Sequence, residues 1–594
     1  MTPTQSPGRW RIWIPAFLIA VSIATLVGRL VQLQILEHAH YQAKARDELD
    51  DEKLEYGRRG AILDSNGDVL ATSIETYDVF VSGRKWQDPA VALPAAAALA
   101  PYLKTDAPSL LAGVATGGDT RVARDIDFET GEALKEAIRA AANPFADSVR
   151  LERSSLRSHP NGDVAASILG WFGDPTPDDD SKARKVGRSG LEASLDRVLA
   201  GRPMRQFFER DVAGEAIPIG LYQASAVLAG ADLKLTIDRR IQALAERQLD
   251  IAVAQHKAIG GTIVIMEPNT GRILALATSP RLKYSELPFT DSEKVVLEND
   301  HSVSYAYEPG SVMKVITMAS ALDGGAVTPE TTYHDDGVVR FEDGTELSNW
   351  RGGSYGTQTM IGVLQNSINT GAIFAQRALG RDRFLEYLGR FGFNDKTGIE
   401  LLAEAAPYFR QPGDEGWTIV DVATQAYGQG IFVTPIQMVA AFTAAINGGT
   451  LFRPQLVQAT IDPDGTVRER KPNALSQPIR PETSATVRFM LEQVVMPPER
   501  GHQGRPRDYT AGGKSGTANI ISGNSYDDKR QVASFIGFAP LVDPRIVVLV
   551  KLDENADLQT GQEAAGPVFA TLVDEVLRYL NVAPDNAAYV GVTP

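Results

Sequence analysis

The sequence of 594 residues contains no cysteine, and this absence excludes thiol catalysis, cysteine-based zinc sites and disulfide bonds. The seven histidines include no HxxxH or HExxH spacing, so a metal site is disfavoured and no cofactor is expected. The net charge is −15 and no dense cluster of lysine and arginine occurs, which argues against nucleic acid as a partner. Hydrophobic residues make up 43% and charged residues 22%, a composition typical of globular domains.

One long uncharged segment lies near the amino terminus. Seventeen residues without charge, IWIPAFLIAVSIATLVG, separate Arg11 from Arg29. As a helix they would be about 26 Å long, close to the thickness of a bilayer core. We therefore predict a short cytoplasmic tail over 1–11, a single transmembrane anchor over 12–36, and a large extracytoplasmic remainder. The alternative is a cleaved signal peptide, for which Ser22-Ile23-Ala24 is a poor cleavage site.

Two folded regions are predicted after the anchor. Residues 37–56 are polar with helical spacing, which predicts a stalk that continues the anchor helix. The mixed pattern that follows, with short alternating runs typical of strands, predicts an extended pedestal domain over 37–225. After a boundary near 225–240, a second domain is predicted over 240–582 and a loose tail over 583–594.

The second domain carries strand pairs at both of its ends. GGTIVIMEPNTGRILALATSP (260–280) is two apolar runs joined by a turn, and ASFIGFAP (533–540) with RIVVLVKLDE (545–554) is a second pair. A final helix with one apolar face follows them. Because long helical segments separate the two pairs, we predict an α/β (α+β) fold in which helices cover one central antiparallel sheet.

The stretch EPGSVMKVITMASAL (308–322) contains a candidate nucleophile and its base. Pro309 and Gly310 form a turn, so Ser311 begins a helix, and Lys314 lies one turn later on the same face. A serine hydroxyl needs a base to act as a nucleophile. The apolar residues around Lys314 and a second cation nearby would lower its pKa enough to make its amine that base.

Two further stretches supply polar groups of the kind that such a centre needs. Ser367-Ile368-Asn369 ends a predicted helix and offers a hydroxyl and an amide. Lys514-Ser515-Gly516-Thr517 precedes the last strand pair and offers an ammonium, two hydroxyls and backbone N–H groups. Together with Ser311 and Lys314 they match the pattern SxxK, SxN and K(S/T)G in the right order.

Similar short matches elsewhere in the sequence are interpreted as structural. Lys396-Thr397-Gly398 follows Asn369 too closely and is predicted to be a turn, and Ser82-Gly-Arg-Lys85 is predicted to end a surface strand. Ser522-Gly-Asn524 lies after Lys514, in the wrong order. A P-loop at Lys514 is excluded, because the chain has Asp508 where that motif needs glycine.

The three motifs resemble those of penicillin-binding transpeptidases and serine β-lactamases. Three upstream stretches, RRGAILDSNGDVLA (58–71), RSHPNGDVAASILG (157–170) and GRSGLE (187–192), are similar to the pedestal boxes of class B penicillin-binding proteins. The resemblance extends over nearly the whole chain. It leaves a role in cell division, slightly favoured, and a role in elongation open.

The resemblance implies a peptidoglycan D,D-transpeptidase that binds stem peptides ending in D-Ala-D-Ala and is acylated by β-lactams. Ser311 would attack the peptide and Lys314 would take its proton, while the backbone N–H groups of Ser311 and Thr517 would form the oxyanion hole. The remaining roles would be proton relay by Ser367, contacts to Lys314 and the substrate amide by Asn369, and binding of the terminal carboxylate by Lys514, Ser515 and the Thr517 hydroxyl. Lys514 would also keep Lys314 acidic, and Gly516 would be a further substrate-binding residue.

The resemblance also implies membrane partners, namely a glycan polymerase of the SEDS family and other proteins of the division or elongation machinery. Two alternatives stay open. One is a β-lactamase or D,D-carboxypeptidase of the same fold, although the ExxLN pattern that supplies a hydrolytic base in one lactamase class is absent after Asn369. The other is a membrane β-lactam sensor or scaffold that does not turn over.

Overall fold

The structure, a computed structural model, describes most of the chain as two compact units. One unit comprises Met1–Gly57 with Gly201–Ala229, and the other comprises Arg58–Ala200 with Gly230–Pro594. The residues described are 10–38, 41, 50–55, 57–115, 117–139, 145–174, 185–202, 204–209, 228–287, 297, 299–522 and 525–586.

The first unit begins with the apolar helix that the sequence predicts. The α-helix Trp10–Val31 continues into a π-helical turn, Gln32–Leu36. The segment Trp13–Leu36 is long and apolar enough to cross a membrane, and none of it is buried against the protein. An unburied apolar helix needs a non-aqueous environment, so its length and composition fit a single-pass anchor.

The stalk predicted over 37–56 is wrong where the structure describes its second half. Asp50–Glu55 is a β-strand, paired antiparallel with Met204–Glu209. A charged run such as DDEKLE has no apolar period that separates helix from strand. Its partner lies about 150 residues further along the chain, so local sequence could not reveal the pairing.

A seven-stranded sheet forms the centre of the pedestal in the second unit. Val69–Ser82 is its longest strand and pairs with both Asp119–Asp127 and Val149–Ser158. The sheet also takes two strands from beyond the boundary that the sequence placed at 225–240. In spatial order its path is Val467–Glu469, Val457–Ile461, Asp232–Leu235, Ile62–Leu63, Val69–Ser82 and Asp119–Asp127.

Short helices cover this sheet and complete the pedestal. One of them, Pro89–Leu103, begins at Asp88, whose carboxylate accepts a hydrogen bond from the N–H of Ala90. Between the helices Ala166–Leu169 and Gly190–Ser194 in the sequence, Phe172–Gly173 and Val186–Gly187 form an antiparallel pair of short strands. The helices are Pro89–Leu103, Ala107–Gly113, Phe128–Arg139, Ala166–Leu169, Gly190–Ser194 and Asp196–Ala200, with 3₁₀ turns at Lys85–Gln87 and Ala146–Ser148.

The three pedestal boxes meet at one buried carboxylate, that of Glu192. Arg59 from the first box donates to its Oε2 at 2.7 Å, and Arg157 from the second donates to its Oε1 at 2.6 Å. Arg59 also donates to Asp196 at 2.6 Å. The side chain of Glu192 is 0% exposed, and within the described residues its charge is balanced by these two guanidinium groups and their hydrogen bonds.

We expect Glu192→Gln to lower the free energy of unfolding by about 3–5 kcal/mol, because two guanidinium groups would then be buried without their shared counter-charge. The denaturant midpoint of the purified protein measures this. Glu346→Gln is the matched control, since the Arg340–Glu346 pair is exposed and contributes about 0–1 kcal/mol. Equal midpoints for the two variants would contradict this role of Glu192.

The second domain contains the predicted antiparallel sheet, with strands from both ends of the domain. In chain order its strands are β1 (Gly260–Met266), β2 (Ile273–Ser279), β3 (Gly512–Ser522), β4 (Ser525–Ala539) and β5 (Ile546–Asp553). Their order in the sheet is β2-β1-β5-β4-β3, with every pair antiparallel. The strand β3 carries the Lys514 motif. Among the described strands it has a neighbour on one side only, so the backbone groups on its other side pair with no strand.

Helices pack on both faces of this sheet. On one face, Gly261 and Gly537 leave room for Leu249 and Phe569, which belong to the helices Arg239–His256 and Gly566–Tyr579. On the other face, Phe538 contacts Phe442. The helices between β2 and β3 are His301–Ser304, Lys314–Asp323, Met360–Gln365, Asn369–Leu379, Arg381–Arg390, Ile419–Gln425, Pro435–Ile446 and Pro481–Val495, and Gly561–Ala564 follows β5.

Small strand pairs and 3₁₀ turns complete the second domain. The sequence predicts a loose tail over 583–594. Within it, the carboxylate of Asp585 accepts a hydrogen bond from the N–H of Thr510. Residues 587–594 lie outside the described part of the chain. The strand pairs are Thr332–Asp335 with Gly356–Thr359, Val338–Arg340 with Glu346–Ser348, Tyr408–Phe409 with Ile431–Phe432, and Leu451–Phe452 with Ala474–Ser476, and the 3₁₀ turns are Tyr284–Glu286, Gly310–Met313, Trp350–Gly352 and Pro498–Arg500.

Candidate active site

Ser311 lies in the 3₁₀ turn Gly310–Met313, directly before the buried helix Lys314–Asp323. Two glycines allow this turn to form. Gly310 has φ +56°, and its N–H donates to the carbonyl of Gly428 at 3.0 Å. A β-carbon at Gly428 would lie 2.1 Å from the carbonyl oxygen of Gly310, so only glycine fits there. The motif Tyr427-Gly-Gln-Gly430 thus supports the backbone that carries Ser311.

The amine of Lys314 lies at the centre of the site. Its Nζ is 3.0 Å from Oγ of Ser311, 2.5 Å from the carbonyl oxygen of Ser367 and 2.7 Å from Oδ1 of Asn369. Oγ of Ser367 lies slightly farther away, at 3.3 Å. Lys314 is 1% exposed, so its amine is shielded from bulk water, whereas Ser311, Ser367 and Asn369 are half-buried.

A neutral amine can satisfy these contacts. The carbonyl of Ser367 and Oδ1 of Asn369 can only accept, so they take the two N–H groups of an uncharged Lys314. The lone pair is then left for the hydroxyl hydrogen of Ser311. Burial, reinforced by the nearby ammonium of Lys514, holds the pKa of Lys314 well below its ordinary value. The arrangement can therefore remove the Ser311 proton without a histidine.

Ser367 occupies a strained turn between the helices Met360–Gln365 and Asn369–Leu379. Its φ is +55°, which is uncommon for a residue with a side chain. This conformation directs both the carbonyl and the hydroxyl of Ser367 toward Lys314. Asn369 follows at the start of the next helix, and its Nδ2 donates to the carbonyl of Ser348 at 3.0 Å, which fixes the orientation of the amide.

A buried carboxylate that the sequence analysis missed supports this turn. Asp335 is 0% exposed and accepts hydrogen bonds from Thr370 Oγ1 at 2.6 Å and Asn349 Nδ2 at 2.8 Å. Burial alone would raise the pKa of Asp335, but the hydrogen bond from Thr370, with others from backbone N–H groups, lowers it below its ordinary value. Asp335 precedes Thr370 by 35 residues, and no local motif marks it.

Lys514 lies opposite Lys314, with Ser367 between them. Its Nζ donates to Oγ of Ser367 at 2.9 Å and to the carbonyl of Ser515 at 3.0 Å, and the side chain is 1% exposed. Burial, together with the positive charge of Arg500, lowers the pKa of Lys514 to about 7. The hydroxyl of Ser367 is therefore within hydrogen-bonding distance of both amines.

The rest of the Lys514 motif follows the accessible edge of β3. Ser515 and Thr517 are half-buried, and Gly516 between them is buried. A β-carbon at Gly516 would lie 3.0 Å from the carbonyl oxygen of Pro309, so β3 runs close to the turn that carries Ser311. Hydroxyl groups and backbone N–H groups are thus present where an anionic group could bind beside Lys514.

The structural interpretation of Lys396-Thr397-Gly398 agrees with its contacts. The N–H and hydroxyl of Thr397 both donate to Glu404 Oε1 at 2.7 Å, and Gly398 donates to the same carboxylate. Lys85 lies in a 3₁₀ turn after the strand that ends at Ser82. Ser522 ends β3, whereas Gly523 and Asn524 lie outside the described residues.

Family models match both parts of the chain. The model "Penicillin binding protein transpeptidase domain" matches residues 261–574, and the model "Penicillin-binding Protein dimerisation domain" matches residues 54–235. The first match alone spans more than half of the sequence. The chain belongs to the penicillin-binding proteins.

Individual relatives of this penicillin-binding protein agree with that assignment. Stage V sporulation protein D of Bacillus subtilis is 34% identical, over 89% of this chain and 79% of its own length. Peptidoglycan D,D-transpeptidase FtsI of Escherichia coli is 26% identical, over 98% of this chain and 95% of its own length.

Solved structures show the same fold as this penicillin-binding protein. Penicillin-binding protein 2X from Streptococcus thermophilus has a TM-score of 0.76 and 23% identity, covering 90% of this chain and 81% of that chain. Penicillin-binding protein 3 from Mycobacterium tuberculosis, complexed with aztreonam, has a TM-score of 0.66 and 25% identity, covering 90% and 98%. The predicted class B membership and fold class are confirmed.

The charge of Arg500 acts on the pKa of Lys514 in this penicillin-binding protein, and this effect can be tested. Its guanidinium donates to the carbonyl of Gln365 at 2.8 Å, and its charge is one cause of the lowered pKa of Lys514. The predicted role of Lys514 in binding a carboxylate requires its ammonium form, so we expect acylation by penicillin to decline as the pH rises above about 7.

We expect Arg500→Gln to raise the pKa of Lys514, and so to move this alkaline decline to higher pH. Because Arg500 is exposed and screened, the expected change is small, about a few tenths of a pH unit. The second-order rate constant of acylation, measured against pH at low salt, checks this. Arg500→Lys keeps the charge and should leave the decline in place, whereas a profile of Arg500→Gln identical to wild type would contradict the electrostatic link.

Proposed function

We propose that this penicillin-binding protein is a peptidoglycan D,D-transpeptidase that crosslinks stem peptides through an acyl-enzyme on Ser311. The observation that carries this proposal is the buried amine of Lys314, 3.0 Å from the Ser311 hydroxyl and flanked by two groups that can only accept hydrogen bonds. That arrangement activates a serine for acyl transfer.

In the first step, Oγ of Ser311 attacks the carbonyl carbon between the two terminal D-alanines while its proton moves to Nζ of Lys314. The backbone N–H groups of Ser311 and Thr517 stabilise the oxyanion, where one donor contributes about 100-fold or more in rate. The C–N bond then breaks, and the proton passes through Ser367 to the nitrogen of the departing D-alanine. An ester on Ser311 remains.

The other motif residues hold the substrate during this step. Lys514, with the hydroxyl groups of Ser515 and Thr517, binds the terminal carboxylate, and Gly516 lets β3 approach the substrate closely. Asn369 holds Lys314 and the substrate amide. In the second step, an amine of a neighbouring stem attacks the ester carbonyl, Ser311 leaves with a proton, and a new peptide bond joins the two stems.

The test is a reaction of the purified full-length protein with a synthetic peptide ending in D-Ala-D-Ala and an amine acceptor. A joined product together with free D-alanine supports transpeptidation. Release of D-alanine with only hydrolysed peptide would favour the carboxypeptidase alternative instead. Acylation by penicillin without any turnover of peptide would favour a sensor or scaffold.

The apolar helix Trp13–Leu36 supports a single-pass location in the cytoplasmic membrane, with the catalytic domain on the far side. There the protein would work with a SEDS-family glycan polymerase, contacted through anchor and pedestal. Co-purification from detergent tests this partnership, and its failure with the anchor intact would count against it. Depletion with microscopy separates a division role, which produces filaments, from an elongation role, which produces round cells.

A further inference from the structure

The buried carboxylate of Asp335 lies outside the catalytic cluster, and the proposed reaction gives it no role. Asp335 is the last residue of the strand Thr332–Asp335, where it pairs with Gly356. It is 0% exposed, although its neighbours His334 and Asp336 are exposed. A buried carboxylate is costly unless hydrogen-bond donors surround it. The groups that donate to Asp335 therefore identify the segment that it stabilises.

One set of hydrogen bonds leads from Asp335 to the backbone of Asn369. The hydroxyl of Thr370, the next residue, donates to Oδ1 of Asp335 at 2.6 Å. Tyr333 lies two residues before Asp335, on the same face of the strand, and its hydroxyl is 3.2 Å from Oγ1 of Thr370. Because Thr370 gives its hydrogen to Asp335, Tyr333 is the donor in this contact. The start of the helix Asn369–Leu379 is thus attached to the strand that carries Asp335.

A second set of hydrogen bonds leads from Asp335 to the side chain of the same Asn369. Nδ2 of Asn349 donates to Oδ2 of Asp335 at 2.8 Å. Asn349 is 3% exposed, and the residue before it, Ser348, accepts from Nδ2 of Asn369 at 3.0 Å. The two sets are joined, because Oδ1 of Asn349 accepts from the N–H of Thr370 at 3.1 Å. Asp335 therefore supports Asn369 at both its backbone and its amide.

Two backbone N–H groups complete the donors around Asp335. Gly337 donates to Oδ1 at 3.0 Å, and Tyr355 donates to Oδ2 at 2.8 Å. Gly337 has φ +85°, and a β-carbon there would lie 3.2 Å from the carbonyl oxygen of Gly353, so glycine suits this close approach of two loops. The exposed residues 352–355 are thus attached to a buried charge, which gives their loop a defined position.

The polarity of these contacts decides which end of the Asn369 amide faces Lys314. The carbonyl of Ser348 can only accept, so it takes Nδ2 of Asn369 and leaves Oδ1 toward Nζ of Lys314, 2.7 Å away. With the amide reversed, Nδ2 would donate to the lone pair of a neutral Lys314. That lone pair is the one that must take the Ser311 proton. A misplaced Asn369 amide would therefore disable the base without removing it.

We propose that Asp335 is a positioning residue of the acylation step, which acts through Asn369 to keep the lone pair of Lys314 free for the nucleophile. The inference rests on the roles proposed for Ser311 and Lys314. Among the described residues, the hydrogen bonds of the Asp335 carboxylate reach neither of these two groups. A carboxylate is required because it accepts only, whereas an amide in its place would turn an N–H group toward other donors.

The test is a double-mutant cycle on acylation of the full-length protein by a chromogenic cephalosporin. We expect Asp335→Asn to lower the rate constant of acylation by about 10-fold or more, since a misdirected base loses part of its contribution. Asn369→Ala should lower it as well. Because both changes act through one amide, the double variant should be about as slow as Asn369→Ala alone. Losses that multiply in the double variant would overturn the inference.

The pH profile separates positioning from a purely structural role. Charge-assisted hydrogen bonds are the stronger ones, so Oδ1 of Asn369 stabilises the ammonium form of Lys314 more than the neutral form. Loss of this acceptor lowers the pKa of Lys314 further, and the acid decline of acylation should move to lower pH in Asp335→Asn. Lys514, the charged group that faces Lys314 from β3, is the same in both proteins. A slower rate with an unmoved acid decline would reduce Asp335 to structural support.

Glu404→Gln is the matched control for Asp335→Asn. Glu404 is 7% exposed and also accepts from the N–H and hydroxyl of a threonine, Thr397, and from the N–H of a glycine, Gly398. Among the described residues, these hydrogen bonds lead to no catalytic group. Both variants should lower the denaturant midpoint, but only Asp335→Asn should slow acylation. An equal loss of rate in Glu404→Gln would contradict a specific role of Asp335.

A second variant keeps the inference testable if Asp335→Asn does not fold. Thr370→Val removes only the hydroxyl that joins Asp335 to the start of the helix, and its loss of rate should likewise disappear in the Asn369→Ala background. Losses that multiply there would overturn the inference. A wild-type protein that is acylated as expected but joins no peptides would instead reject the proposed transpeptidation and leave this role of Asp335 in place.

Discussion

Replacing Ser311 with alanine should abolish covalent labelling by a fluorescent penicillin. Among the described residues, the recorded hydrogen bonds of the Lys314 amine reach two serine hydroxyls, that of Ser311 at 3.0 Å and that of Ser367 at 3.3 Å, and Ser311 is the nearer. Loss of a nucleophilic serine lowers turnover by about 10⁴-fold or more. The labelled band on a denaturing gel should therefore disappear, and D-alanine release should fall to background.

Ser320→Ala is the matched control for this change. Ser320 lies in the helix that follows Ser311, is 0% exposed, and donates to the carbonyl of Ile316 at 2.8 Å, so its loss removes one buried hydroxyl that has no recorded hydrogen bond to the catalytic groups. Its labelling rate should stay near that of wild type. Labelling that survives in the Ser311 variant would transfer the nucleophile elsewhere, and loss of labelling in both variants would point to damage of the helix.

The second large effect is expected for Lys314→Arg, which should lower the acylation rate constant by about 10³-fold or more. A guanidinium stays protonated at every accessible pH, so it cannot take the Ser311 proton. General-base removal usually costs about 10²–10⁴-fold, and the added cation is also buried beside Lys514. Stopped-flow acylation by a chromogenic cephalosporin measures this loss.

The pH profile of the wild-type enzyme tests the same base. The lowered pKa of Lys314 means that its neutral form persists to lower pH than that of an ordinary lysine, and acylation declines only as the pH falls through that lowered value. In Lys314→Arg this acid decline should vanish together with the activity. A variant that kept the wild-type rate, or a wild-type enzyme whose rate rose only near the pKa of an exposed lysine, would refute the assignment.

Much of the catalytic centre could be predicted from sequence because its chemistry depends on short local spacings. Ser311 and Lys314 are one helical turn apart, and their chemistry requires that distance. The Ser367 and Lys514 motifs were found through their order along the chain. The structure brings Lys314, Ser367, Asn369 and Lys514 into one hydrogen-bonded cluster, whereas the catalytic roles themselves stay predictions.

The parts that sequence could not reveal depend on long-range contacts. Asp335 supports Thr370 from 35 residues away, and Gly428 contacts Gly310 more than a hundred residues upstream. A buried aspartate and a close glycine–glycine approach leave no periodic pattern in the sequence. The failed stalk prediction has the same cause, since the strand at Asp50–Glu55 is determined by a distant partner.

The pedestal boxes show the reverse situation. Their resemblance to the family could be recognised from the sequence. The contacts that connect the three boxes in space could not. In the structure, Arg59 and Arg157 donate to one carboxylate of Glu192, which belongs to the third box. Three short stretches separated by up to about 130 residues thus share a single electrostatic centre, a relation visible only in three dimensions.

Because one hydroxyl, that of Ser367, lies within hydrogen-bonding distance of two buried amines, we expect the pair Lys314 and Lys514 to titrate as a unit and to share its first proton. A carboxylate bound beside Lys514, as proposed, would add a negative charge there and so draw that proton to Lys514. At alkaline pH, where the pair has lost this proton, anionic ligands will take one up from solvent as they bind. Binding of an anionic ligand is therefore coupled to the uptake of a proton from the buffer. The heat of binding above pH 7 will consequently depend on the ionisation enthalpy of the buffer.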